Sequence, residues 1–560
     1  MTPHNLALHV FRNRPSLPAA PLILLSALWI AIVDNGVLWR TLFSRLDVIS
    51  FQGSGYALTL LSILVLLFSI PIMLLGQRVL LKPIIAMLLV TSGSLAYFTA
   101  ELGIIFDKEM VRNLVHTVRD QNTQEGFELI SGALLSSLAV TTLIPLALIL
   151  WVKVRRNGFL LDNVWRLGYA IVLTGLVSAL ILANFKSVTY VSRQNRDLES
   201  VITPWYAFKS LDKLYSDTVK TQNKPFVILG DDAVQQPRGE GRRVGIMVVG
   251  ETARADHFTL NGYERNTNPE LAQRDIINFT DVQSCGTSTA FSVPCMFSFL
   301  TLDTYSPEKA ASESNVLDVL STAGIDVFWI DSNSSCKGVC NRIPSINVMD
   351  NPPDTDSPLY VDGAYQDEYL LSQVDKYLDQ NDRDLLLVLH TMGSHGPAYY
   401  RRYPGAKGPF QPACRSKAPQ DCPNSEIVNA YDNTIHYTDR FLASIIDKLT
   451  ATGGQKFMFY ASDHGESLGE NGIYLHGLPR SIAPDAQRQV PMLAWFSDEL
   501  ALKTGDLSAH RGVRQDTRKL SHDVISASLL GLYGVNTEVY RPDLDVFSTP
   551  PIGYKQATFR

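Results

Sequence analysis

Long apolar runs dominate roughly the first 190 residues, and shorter apolar runs alternating with amphipathic stretches fill the remainder. Five of the long runs, roughly Leu22–Leu42, Gly55–Leu75, Leu81–Ala100, Leu129–Val152 and Leu167–Phe185, suffice to cross a hydrocarbon core, which takes about 20 helical residues. Five such runs in succession, separated by short charged loops, predict a helical membrane domain over residues 1–187. Basic residues set its orientation: Arg14, Lys82, Lys153, Arg155 and Arg166 fall on one side, which the positive-inside bias makes cytoplasmic. An odd number of crossings then delivers everything after Phe185 to the outside. The first run has no small-residue cleavage site after it, so it is expected to be an anchor.

Residues 188–242 change character. Val201, Ile202, Trp205, Tyr206, Phe208, Leu211 and Leu214 are spaced for amphipathic bridging helices, either along a membrane surface or in an ordinary helical linker. Residues 243–560 read as an α/β domain. Arg243–Gly250, Asp326–Ile330, Leu385–His390 and Lys456–Ala461 are short apolar runs of the buried parallel-strand type. Helical patterns lie between them, near Asn315–Ala323, Asp362–Gln380 and Ile427–Ala451. The alternation predicts a mainly parallel sheet. In such sheets ligands bind beyond the carboxyl ends of strands. Glu251, His390 and the pair Asp463-His464 stand at three of those ends.

Composition refines this picture. A chain of 560 residues exceeds one ordinary core, and its formal charge of −6, with no basic block, gives no sign of a nucleic-acid partner. None of the six cysteines lies in the membrane half; they fall as Cys285 with Cys295, Cys336 with Cys340, and Cys414 with Cys422. Six cysteines allow fifteen connectivities, but an even, clustered set without CxxC motifs reads as three local disulfides in an oxidising compartment.

The candidate chemistry centres on the segment Cys285–Cys295, which carries the hydroxyls of Thr287, Ser288, Thr289 and Ser292. Hydroxyls need a base or a metal to become nucleophiles near neutral pH. Glu251, Asp463 and His464, with Thr289 as a possible fourth ligand, form a set suited to a zinc-like dication, which favours the deprotonated form of a coordinated oxygen. No Gly-x-Ser-x-Gly elbow is present, so an ordinary serine hydrolase is disfavoured. A metal-activated hydroxyl suits attack on phosphorus or sulfur esters. His390, His395 and His476 are further candidates for a second metal or an anionic substrate group. Lys337, on the tight loop between Cys336 and Cys340, is either a solvated surface lysine or a phosphate contact. At this level the choice among the four hydroxyls stays open.

The motifs Gly250-Glu-Thr-Ala-Arg254, Cys285–Cys295, Cys336-Lys-Gly-Val-Cys340, Gly393-Ser-His-Gly-Pro397, Ser462-Asp-His-Gly-Glu466 and Leu475-His-Gly-Leu-Pro479 resemble those of the lipid A phosphoethanolamine transferases. That group confers polymyxin resistance and lies within the alkaline phosphatase/sulfatase superfamily. The resemblance covers the whole chain. It implies a bacterial inner-membrane enzyme with a periplasmic catalytic domain, acting as a monomer. It assigns Thr289 as the nucleophile that becomes phosphoethanolamine-modified, and Glu251, Thr289, Asp463 and His464 as ligands of one tightly bound Zn2+. His395 and His476 match histidines of a second zinc or of substrate handling and proton transfer. Ser334, Lys337 and His390 match the phosphoethanolamine pocket, as do Asn113 and Thr117 in a membrane-proximal loop. There the family's Glu is replaced by Gln121, with Glu125 one helical turn further on. The implied reaction is ping-pong transfer from phosphatidylethanolamine to a lipid A phosphate. The alternative is phosphoethanolamine or glycerol-phosphate transfer to a core sugar or other glycan. A membrane sensor or transporter is disfavoured, because only Asp34 lies in the interior of a proposed span, with Glu101 at an edge.

Overall fold

The computed structural model describes residues 14–46, 51–119, 129–155, 158–222, 225–237, 241–350, 355–380, 382–404, 408–501 and 512–548. The chain folds as two compact units, one of Met1–Asp107 with Ile130–Ser210 and one of Lys108–Leu129 with Leu211–Arg560.

The first unit is helical. Gly53–Leu75, Leu81–Glu101, Gly132–Trp151 and Leu160–Ala183 are each long and apolar enough to cross a membrane. Ala19–Asp34 and Gly36–Arg45 make a fifth span if counted together, bent by 58° where they meet. The sequence pattern reads this stretch as a single span, roughly Leu22–Leu42. The bend has a polar cause: the buried Asn35 Nδ2 donates to the carbonyls of Ile30 (2.9 Å) and Thr203 (2.8 Å), and its Oδ1 accepts from Thr203 N–H. An inserted side chain of this kind replaces ladder bonds and kinks a helix. The last span starts seven residues before the predicted Leu167, since Arg166 is accommodated within it by a bond to the Met73 carbonyl (2.9 Å) and by Asp162 at 3.8 Å.

The second unit is built on an eight-stranded sheet. Its strands are β1 (Arg243–Gly250), β2 (Ile276–Gln283), β3 (Asp326–Asp331), β4 (Ser345–Asn347), β5 (Leu385–His390), β6 (Gln455–Ser462), β7 (Met492–Phe496) and β8 (Arg514–Ser521), in spatial order β8-β2-β7-β6-β1-β5-β3-β4. Every adjacent pair is parallel except the two that involve β7. All four predicted strands are present. β8 escaped the apolar-run criterion because its residues alternate between partly buried and exposed, as an edge strand's do. The predicted helix from Asp362 begins instead at Leu370, after a small hairpin of Tyr360–Val361 with Ala364–Tyr365.

β1 is buried along its whole length. Met247 and Val249 enter the core on one face, and Val244, Ile246 and Val248 the core on the other. That double burial is why the strand reads as an unbroken apolar run. Register then sets the functional edge: Gly250 of β1 pairs with Ser462 of β6, and Val249 with His390 of β5. The residues just beyond those ends therefore converge. We expect Leu387→Ala, in the fully buried middle of β5, to cost about 2–5 kcal/mol. The check is the thermal midpoint of the purified full-length chain, and an unchanged midpoint would contradict this core.

Candidate active site

Glu251, Asp463 and His464 are fully or almost fully buried and meet beyond β1 and β6, with one ligand atom of each within 4.8 Å of the others. His464 Nε2 lies 3.3 Å from Glu251 Oε1 and 3.3 Å from Asp463 Oδ2. Its Nδ1 is 2.9 Å from the Gly465 carbonyl, an acceptor only, so Nδ1 carries hydrogen and Nε2 faces the cluster, as an N–H while the ring is charged and as a ligand nitrogen once a cation takes that proton's place. Burial and the nearby Glu251 charge push the Asp463 carboxyl up to about 6. Burial opposes ionisation of Glu251 too, but the His464 hydrogen bond and the surrounding histidines hold its carboxyl well below the usual range. Burial acts against the charged form of His464, but Asp463 and Glu251 outweigh it and push the imidazole up to about 9. Asp463 Oδ2 is buried without a hydrogen-bond partner. Two carboxylates, one of them with an unpartnered oxygen, and an imidazole nitrogen facing them in a buried site fit a dication, and the donor set suits zinc.

Thr289 faces this cluster. Its Oγ1 is 3.2 Å from each Glu251 oxygen and 3.4 Å from His464 Nε2. It is the first residue of the helix α2 (Thr289–Met296), whose start is favourable for negative charge. Of the other three hydroxyls, Thr287 Oγ1 donates to the Leu478 carbonyl (2.6 Å) and Ser292 Oγ accepts from Gly286 N–H (3.0 Å). Ser288 Oγ is buried without a partner. The geometry thus separates Thr289, the hydroxyl among the cluster's carboxylates, from its neighbours. Cys285–Cys295 closes this loop, and Cys336–Cys340 and Cys414–Cys422 are also formed.

A row of imidazoles extends from the cluster. The His476 ring centroid is 4.4 Å from that of His464 and 5.3 Å from that of His395. His476 Nδ1 donates to Glu466 Oε2 (3.1 Å), which leaves Nε2 as its proton-accepting edge. Burial, with His476 and Arg402 nearby, pushes His395 down to about 3, and its Nδ1 has no partner. His390 is fully buried on the opposite side of Glu251, with Nε2 at 4.0 Å from Glu251 Oε2 and Nδ1 at 3.3 Å from Asp331.

Lys337 is buried, at 8% exposure, and its φ of 51° holds it on the tight disulfide loop. Its Nζ donates to Ser334 Oγ (2.5 Å), Ser334 N–H and Oγ–H reach Asn333 Oδ1 (2.6 and 3.2 Å), and Asn333 Nδ2 donates to Glu251 Oε2 (2.8 Å). Lys337 and Ser334 are thereby tied to the acid cluster. Asn113 and Thr117 lie on the helix α1 (Lys108–Arg119), where the Thr117 hydroxyl bonds to the Asn113 carbonyl at 3.0 Å. Among the described residues neither bonds to Thr289. Gln121 and Glu125 lie outside the described residues.

Residues 243–535 match the sulfatase family, and residues 60–219 match the family described as phosphoethanolamine transferase EptA/EptB. The phosphoethanolamine transferase EptA of Escherichia coli K12 is 35% identical over 552 residues, covering 96% of this chain and 98% of that protein. This chain belongs to the phosphoethanolamine transferase family. Phosphatidylethanolamine transferase Mcr-1 from Escherichia coli is 36% identical over 496 residues, 86% of this chain and 89% of its own length. The full-length lipooligosaccharide phosphoethanolamine transferase A of Neisseria meningitidis superposes with a TM-score of 0.85 at 33% identity, covering 95% of this chain and 98% of that one.

Several residues of the transferase site went unread in the sequence. Asn333 follows the end of β3, where the strand-end rule points, but it carries no charge to draw notice. Asp367 accepts from Met392 N–H (2.8 Å), Gly393 N–H (2.8 Å) and Ser332 Oγ (2.7 Å), and so fixes the His395 loop. His522 Nε2 donates to the Ser462 carbonyl (2.9 Å) while its Nδ1 accepts from Cys285 N–H (3.2 Å), joining the loop of Thr289 to the strand that leads into Asp463. We expect Asn333→Ala to lower zinc affinity and lipid transfer by about 10–100-fold, as loss of an outer partner of a metal ligand does. Zinc titration alongside the transfer assay checks this, and wild-type values in both would remove Asn333 from the site.

Proposed function

We propose that this protein transfers phosphoethanolamine from phosphatidylethanolamine to a phosphate of lipid A, through a covalent intermediate on Thr289. The observation that carries the reading is the Thr289 hydroxyl, 3.2 Å from both oxygens of a buried carboxylate that belongs to a dication-ready cluster. Glu251, Asp463 and His464 would hold Zn2+ with Thr289 alongside. When bound, the ion neutralises the acid pair, favours the ionised threonine and offsets charge on the phosphoryl oxygens.

In the first half-reaction Thr289 Oγ attacks phosphorus, the bond to the diacylglycerol oxygen breaks, and the threonine proton ends on diacylglycerol. In the second, an oxygen of the acceptor phosphate attacks the same phosphorus, the Thr289 Oγ–P bond breaks, and Thr289 Oγ regains a proton drawn from solvent. Proton movement falls to His476, whose Nδ1 is anchored on Glu466, or to His395, kept neutral by burial. Lys337 and Ser334 would meet the phosphoryl oxygens. Asn113, Thr117 and His390 complete the proposed donor pocket, which follows the family resemblance.

The disulfides suit an oxidising compartment, and with the spanning helices they support an inner-membrane enzyme whose catalytic unit is periplasmic. Covering a lipid A phosphate with ethanolamine would lower surface anionic charge and, with it, susceptibility to polymyxin.

Thr289→Ala should reduce lipid A modification by about three orders of magnitude or more. Intact-mass measurement of wild-type protein incubated with phosphatidylethanolamine should show one phosphoethanolamine on Thr289. An adduct on Ser288 or Ser292, or retained modification in the variant, would overturn the nucleophile. Chelation should abolish transfer, with zinc restoring it; restoration by magnesium but not by zinc would contradict the metal.

A further inference from the structure

His476 stands between two peptide groups that one buried side chain holds. Gln487, on the single-turn helix Asp485–Arg488, is fully buried. Its Nε2 donates to the Leu475 carbonyl (3.0 Å) and to Ser467 Oγ (2.9 Å), and its Oε1 accepts from Leu478 N–H (3.2 Å). A carbonyl only accepts and a backbone N–H only donates, so these partners admit one orientation of the amide. Leu475 and Leu478 flank His476-Gly477, and the amide therefore closes the loop on both sides of the imidazole.

The loop needs that closure. Leu475 has a φ of 62° and Gly477 a φ of 91°. The left-handed region is open to glycine but sparsely occupied by a bulky residue such as leucine, which stays there only where its surroundings over-determine it. The same segment also holds the chain beside His464. The Gln487 carbonyl accepts from Gly465 N–H (3.1 Å) and the Ala486 carbonyl from Glu466 N–H (2.9 Å). The approach is close: a Cβ on Gly465 would lie 2.1 Å from the Ala486 oxygen. Gln487 and its neighbour thus secure Glu466, the anchor of His476 Nδ1, as well as the loop that carries the imidazole.

Leu478 connects this clamp to Thr289. Its N–H is held by Gln487, and its carbonyl accepts from Thr287 Oγ1 (2.6 Å), two residues before the threonine. The reach from the imidazole to Thr289 is therefore set through the amide. Proton transfer depends steeply on that reach, because donor and acceptor must lie within hydrogen-bonding distance, directly or through one water.

Resting on the reading of His476 as the proton carrier, we propose that Gln487 is a positioning residue for phosphoethanolamine transfer. Its amide clamps Leu475 and Leu478 and so holds His476 at the reach from Thr289 that the reaction needs. Methionine at this position would fill similar space and bond to neither peptide group. Glutamate would keep the bond from Leu478 N–H but set a charge against the Leu475 carbonyl.

The test uses full-length, detergent-solubilised protein. Gln487→Met should lower kcat for transfer to lipid A by about 10–100-fold, with KM for phosphatidylethanolamine and metal content unchanged. Ser467→Ala, which keeps both backbone bonds, should transfer like wild type. In a His476→Ala background Gln487→Met should slow transfer no further, because the two residues act as one unit. Wild-type kcat in Gln487→Met overturns the proposal, as does a full multiplicative loss in the His476→Ala background. Carbethoxylation by diethyl pyrocarbonate, read by peptide mass, reports the clamp without turnover. His476 should react about tenfold faster in Gln487→Met, with His257 unchanged, since loss of two backbone bonds lets the loop open. Equal rates overturn the clamp. Wild-type transfer by His476→Ala would instead refute the proton carrier, and carbethoxylation then decides whether Gln487 holds the loop. Should Gln487→Met fail to fold, Gln487→Glu is measured in the same way, with the same outcomes for and against.

Discussion

Two carboxylates share one dry site, and most of the catalytic unit is arranged around that fact. Glu251 and Asp463 are both buried, each within 3.3 Å of the same imidazole nitrogen. Two buried carboxylates so close together favour a bound cation, because the Asn333 and Thr289 groups that reach Glu251 are neutral. The parallel register of β1 and β6 makes the encounter unavoidable by pairing Gly250 with Ser462, and Asp463 N–H donates to the Gly250 carbonyl at 2.9 Å. Gly393 follows from the same crowding. Its φ is 50°, and a Cβ there would sit 2.7 Å from the Glu251 carbonyl oxygen.

Thr289, the proposed nucleophile, is held to this pair from several directions. The disulfide closes its loop, the Thr287 hydroxyl anchors it to the Leu478 carbonyl, and His522 bridges it to Ser462. A hydroxyl placed by a short exposed loop alone would wander; one pinned at three points keeps its distance from the carboxylates. Positioning of this kind is what the displacement proposed for Thr289 requires, because a held geometry removes much of the entropy cost of attack.

The helix α1 shows how a segment between two membrane-length helices can fold as part of the catalytic unit. Lys108 pairs with Asp217 and Glu308, each at 3.1 Å, and Arg112 with Glu109 and Glu308. Met110 packs so closely on Gly477 that a Cβ there would come within 2.3 Å of its methyl carbon. Gly477 follows His476, so this helix touches the loop that carries a candidate proton carrier. Charge pairing and one close contact thus give α1 a place beside the chemistry that its amphipathic pattern alone does not disclose.

Periodicity, cysteine spacing and strand-end residues disclosed a great deal, because each is a local consequence of burial. Apolar runs marked the membrane helices and the doubly buried strands. Clustered cysteines marked local disulfides. Glu251, Asp463 and His464 stood out because charge at the end of a buried strand needs a reason. What the local pattern could not hold was decided by contacts between distant segments. The break at Asn35 depends on Thr203, and the edge strand β8 depends on pairing with β2 for lack of an apolar run. Asn333, Asp367 and His522 acquire meaning only through partners elsewhere in the chain. By sequence alone four hydroxyls in one loop were equivalent, apart from a family resemblance. Folding directed Thr287 to a carbonyl and Ser292 to an amide, and set Thr289 against the carboxylates, since only a three-dimensional arrangement can give identical functional groups different neighbours.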